Sequence, residues 1–199
     1  MFVKICGLSS REHVQVAVEA GADAVGFVFA DSVRRVDPAH AANITNTVPV
    51  TVKKVAVMLH PSNDEWQAVL RDFVPDVLQT DAEDFAGLDI PNEIDAWPVY
   101  REGRKVTVPN LGGQSPFVYE GVTSGQGQTV DWDAAARVAR QGSMILAGGL
   151  SVANVAEAIQ TVRPYGVDVS SAVESVPGQK DPELIRTFIS AAKAAGNEV

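Results

Sequence analysis

The only cysteine of the chain, Cys6, closes its first apolar run, Val3-Lys4-Ile5-Cys6, and Gly7 follows at once. A thiol at a strand end is placed to act as a base or nucleophile, although by default a free cysteine is a small buried hydrophobe. Glu120 ends the run Phe117-Val118-Tyr119 in the same way. A carboxyl there can donate a proton if burial raises its pKa; otherwise it is a solvated strand-end charge. Two turns have the composition of anion cradles. Gly148-Gly149-Leu150-Ser151 precedes a helix-patterned stretch, and Asp168-Val169-Ser170-Ser171 supplies a second turn of the same kind. Glycines let the backbone approach an anion, and helix starts present free N–H groups. Arg34 and Arg35 offer forked guanidinium groups that suit a carboxylate. Asp168 sits inside an apolar run, an expensive place for an unpaired charge. Together these residues describe proton transfer by a thiol and a carboxyl on a phosphorylated substrate.

Such scattered residues need a scaffold that gathers them. Eight short β-rich runs recur along the chain, at 3–6, 24–29, 54–58, 77–79, 97–100, 117–120, 143–147 and 167–170. They are nearly continuous in apolar residues, as strands buried on both faces of a parallel sheet are. Helix signals stand between them. Ser9 and Ser10 can cap 11–20, with Gly21 closing it, and Asp37-Pro38 and Asp181-Pro182 each pair an N-cap with a first-turn proline. Ser62 and Glu65 form a capping box before 66–73, Asp131 or Asp133 can start 134–139, and Ser151 is expected to cap 152–162. Gly103, Pro109, Gly112 and Gly113 punctuate the unit after strand five, where a loop is expected in place of a helix. An open doubly wound sheet would carry fewer strands and a glycine fingerprint after the first. Eight βα units favour a (β/α)8 TIM barrel, a single α/β domain over 1–199. In that fold the carboxyl ends of all strands face one site. Cys6, the Arg34 loop, Gln79 with Thr80 and Asp81, Glu120, Gly148-Gly149 and Asp168 to Ser171 would then converge.

Bulk properties narrow the partners. The net charge is -9 and the pI about 4.7, which disfavours nucleic acid and anionic membranes and leaves a small molecule. No apolar run approaches the ~18 residues of a membrane span. Cys6 has no partner for an internal disulfide, and Lys4, Gly7 and Arg11-Glu12 interrupt any signal-peptide core, so a cytoplasmic location is expected. His13, His40 and His60 follow no ligand spacing, which predicts no metal site. There is no P-loop, no dinucleotide fingerprint and no serine elbow.

Five segments carry a resemblance to the phosphoribosylanthranilate isomerase family. They are Val3-Lys4-Ile5-Cys6-Gly7-Leu8; Ala22 to Phe29 with Ser32-Val33-Arg34-Arg35-Val36; Gly125-Gln126-Gly127 before Asp131-Trp132; Leu146 to Leu150 with Asn154-Val155; and Val167 to Ser171 followed by Gly178-Gln179-Lys180-Asp181. The resemblance implies a (β/α)8 enzyme of tryptophan biosynthesis performing an Amadori rearrangement on a phosphorylated N-aryl ribosylamine. It implies that Cys6 is the general base, that Arg34 holds the anthranilate carboxylate and that Asp168 lies near the anthranilate amine. The phosphate loops fall on Gly148, Gly149, Ser170 and Ser171, and Gln79 joins the substrate-binding set. The iminium formed during the reaction is its own electron sink, so no metal or organic cofactor is expected. A monomer and a homodimer are both open. Three positions depart from the family pattern: Glu120 stands where an aspartate is usual as general acid, Asp81 where a histidine is usual, and Ala172 where a glycine is usual. A histidine-pathway or dual-specificity sugar-phosphate isomerase is the nearest rival, though those barrels usually carry an aspartate base after strand one. A barrel that binds sugar phosphate without turnover is the other alternative.

Overall fold

The computed structural model describes residues 1–104, 106, 115–122 and 129–197. Eight parallel strands close into a barrel in chain order: β1 (Phe2–Cys6), β2 (Ala24–Val28), β3 (Lys53–Val57), β4 (Val77–Asp81), β5 (Asp95–Arg101), β6 (Phe117–Glu120), β7 (Met144–Leu146) and β8 (Gly166–Val169). Closure is made by β8 on β1, with Phe2 opposite Gly166 and Ile5 opposite Val169. The helices are α1 (Arg11–Glu19), α2 (Pro38–Ile44), α3 (Asn63–Phe73), α4 (Trp132–Ala139), α5 (Val155–Val162) and α6 (Pro182–Gly196). Their starts follow the expected chemistry. Ser10, Asp37, Ser62, Asp131 and Asp181 each accept from a first-turn backbone N–H, and Ser62 with Glu65 completes the capping box.

Three elements differ from expectation. Ser151 does not cap α5, which starts at Val155. Asn154 instead accepts from the Ser151 N–H at 2.7 Å and donates to the Gly149 carbonyl at 2.9 Å, tying the glycine turn to the helix start. After β4 there is only a 3-10 turn, Asp84–Gly87, whose Asp84 carboxylate accepts from Thr80 Oγ1 and from His60. After β8 the chain makes a one-turn 3-10 segment, Ser171–Val173, and a small hairpin of β9 (Glu174–Val176) and β10 (Gln179–Lys180). Gly178 in that hairpin has φ +86°, and a Cβ there would lie 2.8 Å from the Val33 carbonyl oxygen, so glycine lets the hairpin lie on the β2–α2 loop. The loop expected after β5, like Gly125-Gln126-Gly127, lies largely outside the described residues.

Side chains alternate along each strand. Val3, Ile5, Phe27, Ala56, Leu78, Phe117, Leu146 and Val167 face outward and pack beneath the helices with Trp66 and Phe188. Burial of such side chains contributes about 1.5–3 kcal/mol each. The inward set is layered. Phe2, Ala24, Val55, Val77, Trp97, Val118 and Ile145 close the barrel interior with apolar volume. Toward the carboxyl ends the inward positions turn polar: Lys4, Gln79, Asp81, Arg101 and Asp168 are all buried. Gly26 opens space for this layer, since a Cβ there would stand 3.1 Å from both Cys6 Sγ and Lys4 Cε. No described helix is long and apolar enough to cross a membrane.

Candidate active site

Cys6, Arg34, Gln79, Glu120, Gly148, Gly149, Asp168, Ser170 and Ser171 all line one cavity of about 290 Å3 at the carboxyl end of the barrel. Arg35, the other arginine of that loop, is exposed and does not line it.

On the β1–β8 side, period two directs Lys4 and Cys6 inward from the same strand face. Lys4 Nζ donates to Asp168 Oδ1 at 3.0 Å. Burial works against the lysine charge, but Asp168 and Cys6 outweigh it and the Lys4 pKa is raised. Burial raises the Asp168 pKa, with Lys4 pulling the other way. A lysine on the same strand face as a thiol would be expected to favour its ionisation. Lys4 is indeed adjacent, yet burial pushes the thiol up more than Lys4 and Lys180 draw it down, because the lysine charge is largely matched by Asp168. Cys6 is therefore a thiol in the free protein.

The anion-cradle turns stand beside it. Gly148 and Gly149 have φ +88° and +66°, backbone that other residues adopt only with strain. Ser170 Oγ donates to the Cys6 carbonyl at 3.1 Å, and Lys180 Nζ donates to the Ser170 carbonyl at 2.8 Å. Lys180 also meets Glu174 Oε1 at 2.7 Å. Glu174 receives both Nε and Nη2 of Arg34, at 2.6 and 2.9 Å, along with the Gly178 N–H. Burial would raise the Glu174 pKa, but Arg34 and Lys180 overcome it and hold the carboxyl at about 2. Arg34 thus spends one edge of its fork on Glu174 while lining the cavity. Gly7, at φ +74°, makes room, because a Cβ there would lie 2.7 Å from Arg34 Cδ.

Across the cavity, Arg101 Nη2 and Nε donate to Asp81 Oδ1 and Oδ2 at 2.6 and 3.0 Å, and its Nη1 donates to Glu120 Oε1. Asp81 is therefore a buried carboxyl paired with an arginine. His60 reaches the same rim, with Nε2 3.9 Å from Asp81 Oδ2. Gln79 is buried, and its Oε1 has no hydrogen-bond partner among the described residues.

Sequence reading missed Arg101, Glu174 and Lys180. The signal for Arg101 was present: extending strand five by one residue past Tyr100 puts it on the inward face with Trp97 and Val99. Glu174 and Lys180 are brought in by the hairpin, for which no periodicity spoke. Among the described residues no group of three or more His, Cys, Asp or Glu could hold a metal ion.

A (β/α)8 barrel whose thiol, carboxyl and glycine and serine turns line one cavity has the layout of a barrel enzyme acting on a small phosphorylated ligand. Comparison with known proteins makes this specific. Residues 3–191 match the family model described as N-(5'phosphoribosyl)anthranilate (PRA) isomerase. The N-(5'-phosphoribosyl)anthranilate isomerase of Listeria innocua is 39% identical over 98% of this chain and 100% of its own. The crystal structure of TrpF from Jonesia denitrificans superposes with TM-score 0.82 and 34% identity, covering 98% of each chain. A phosphoribosyl anthranilate isomerase in complex with reduced 1-(o-carboxyphenylamino)-1-deoxyribulose 5-phosphate gives TM-score 0.78 and 30% identity, covering 98% of this chain and 99% of the other. The chain belongs to the N-(5'-phosphoribosyl)anthranilate isomerase family.

Proposed function

We propose that this chain converts N-(5-phosphoribosyl)anthranilate to 1-(2-carboxyphenylamino)-1-deoxyribulose 5-phosphate in tryptophan biosynthesis, in the cytoplasm, as a monomer or homodimer. The observation that carries the reading is the placement of Cys6 and Glu120 on strands β1 and β6 around the cavity that the glycine and serine turns also line.

Glu120, in its protonated form, gives its proton to the ribose ring oxygen and is left as a carboxylate facing Arg101, while the C1–O bond breaks to give the open chain as a protonated Schiff base. Cys6 gives up its thiol proton to solvent and, as the thiolate, removes the proton from C2, and the electrons flow to the iminium nitrogen to give an enolamine. Tautomerisation delivers the ketone. The positive iminium forms next to the carbon that Cys6 must deprotonate, and its field favours the thiolate at that moment. Gly148, Gly149, Ser170 and Ser171 hold the phosphate. The free edge of Arg34 meets the anthranilate carboxylate, and Asp168 and Gln79 line the path between them.

The test is the decay of anthranilate-ribosyl fluorescence with purified protein. Decay well above background, reduced at least ~100-fold in both Cys6→Ala and Glu120→Ala, is the expected result. No decay above background would leave the non-catalytic barrel as the better reading.

A further inference from the structure

Arg101 is a firmly anchored charged side chain lining the cavity. Both ends of its fork are used: one edge grips Asp81 through two hydrogen bonds, and Nη1 reaches Glu120 Oε1. Arg101 and Glu120 are direct register partners on β5 and β6, so their side chains leave the sheet side by side. Asp81 is 2% exposed and Arg101 8%. Taking such a pair out of water costs about as much as its attraction returns, so it is a poor device for stability alone. Its effect is geometric. A bidentate carboxylate fixes the guanidinium plane, and a hydrogen bond from that fixed plane narrows the rotamers open to a glutamate at the cavity.

We propose that Arg101 is the positioning residue of this site. Asp81 fixes the arginine, and the arginine fixes the Glu120 carboxyl against the cavity wall at the reach needed for proton donation. The inference rests on Glu120 being the proton donor. It makes Asp81, Arg101 and Glu120 one unit, in which the length of the glutamate is matched to the reach of Nη1.

The experiment is steady-state kinetics with N-(5'-phosphoribosyl)anthranilate on single and combined variants. Glu120→Asp leaves the Asp81–Arg101 pair in place but withdraws the carboxyl from Nη1. Its kcat is expected to fall ~10–100-fold with KM within ~3-fold, the scale of an ångström's misplacement. Arg101→Gln should give a similar fall, and no further fall when added to Glu120→Gln. Because loss of Arg101 alone strands the buried Asp81 charge, the neutralised combination Asp81→Asn with Arg101→Gln carries the same comparison. Wild-type kcat in Glu120→Asp overturns the proposal. So does a fall from Arg101→Gln that is equal with and without Glu120→Gln, or one confined to KM. Wild-type turnover in Glu120→Gln would instead refute Glu120 as the proton donor, and the proposal with it.

Discussion

Replacing Glu174 with glutamine removes the carboxylate that joins Arg34 to Lys180 while keeping its shape. The side chain is 4% exposed, so solvent screening does little to weaken the interaction. A carboxyl drawn from 4.5 down to about 2 by its partners corresponds to about 3 kcal/mol of stability at neutral pH. The folded pKa lies below the unfolded one. The contribution is therefore full above about pH 4.5 and lost as the pH falls through about 2, with about 1.4 kcal/mol remaining at pH 3. In urea unfolding, with a slope of about 2–3 kcal/mol/M, the variant midpoint should lie about 1–1.5 M below wild type at pH 7. At pH 3 the gap should be about half as large. Equal gaps at the two pH values, or none at pH 7, would refute the argument. The variant also frees the fork of Arg34 to rotate, so its KM for substrate should rise.

Other predictions follow from single contacts. Alkylation of Cys6 by iodoacetamide should accelerate with pH and reach its plateau only above pH 9, because burial raises the thiol above 9.0; a plateau near neutrality would show that the lysines win. Gly26→Ala inserts a Cβ 3.1 Å from Cys6 Sγ and Lys4 Cε. It should cost about 1–3 kcal/mol in thermal or urea unfolding and lower kcat as well, so a variant as stable and active as wild type would deny the close packing. Arg34→Lys should raise KM more than it lowers kcat, since one ammonium cannot serve Glu174 and a carboxylate in the same plane. An unchanged KM with a slowed chemical step would contradict the carboxylate-holding role.

Much of this arrangement was legible in the residues. The near-continuous apolar runs mark strands covered on both faces, and five of the helix starts follow from side chains that can accept a first-turn N–H. Strand ends then locate the site, because parallel closure brings all eight to one rim. What stayed hidden has a common cause. The Asn154 cap, the hairpin that carries Glu174 and Lys180, and the short turn after β4 are decided by tertiary contacts, whereas local patterns report only on neighbours in sequence. Arg101 is a different case: its inward place follows from the strand period, and it is easily passed over because inward alternation turns there from apolar to charged. The same limit applies to Cys6. Its proximity to Lys4 can be counted from the strand period, but the net effect on its pKa depends on Asp168, which is 162 residues away in the chain.

If Cys6 takes the C2 proton, single-turnover reactions with substrate bearing deuterium at ribose C2 should show a primary isotope effect in the wild-type protein, and Cys6→Ala should lose C2–D cleavage while retaining product-analogue binding. Cleavage of the C2–D bond by Cys6→Ala at the wild-type rate would contradict that role for Cys6.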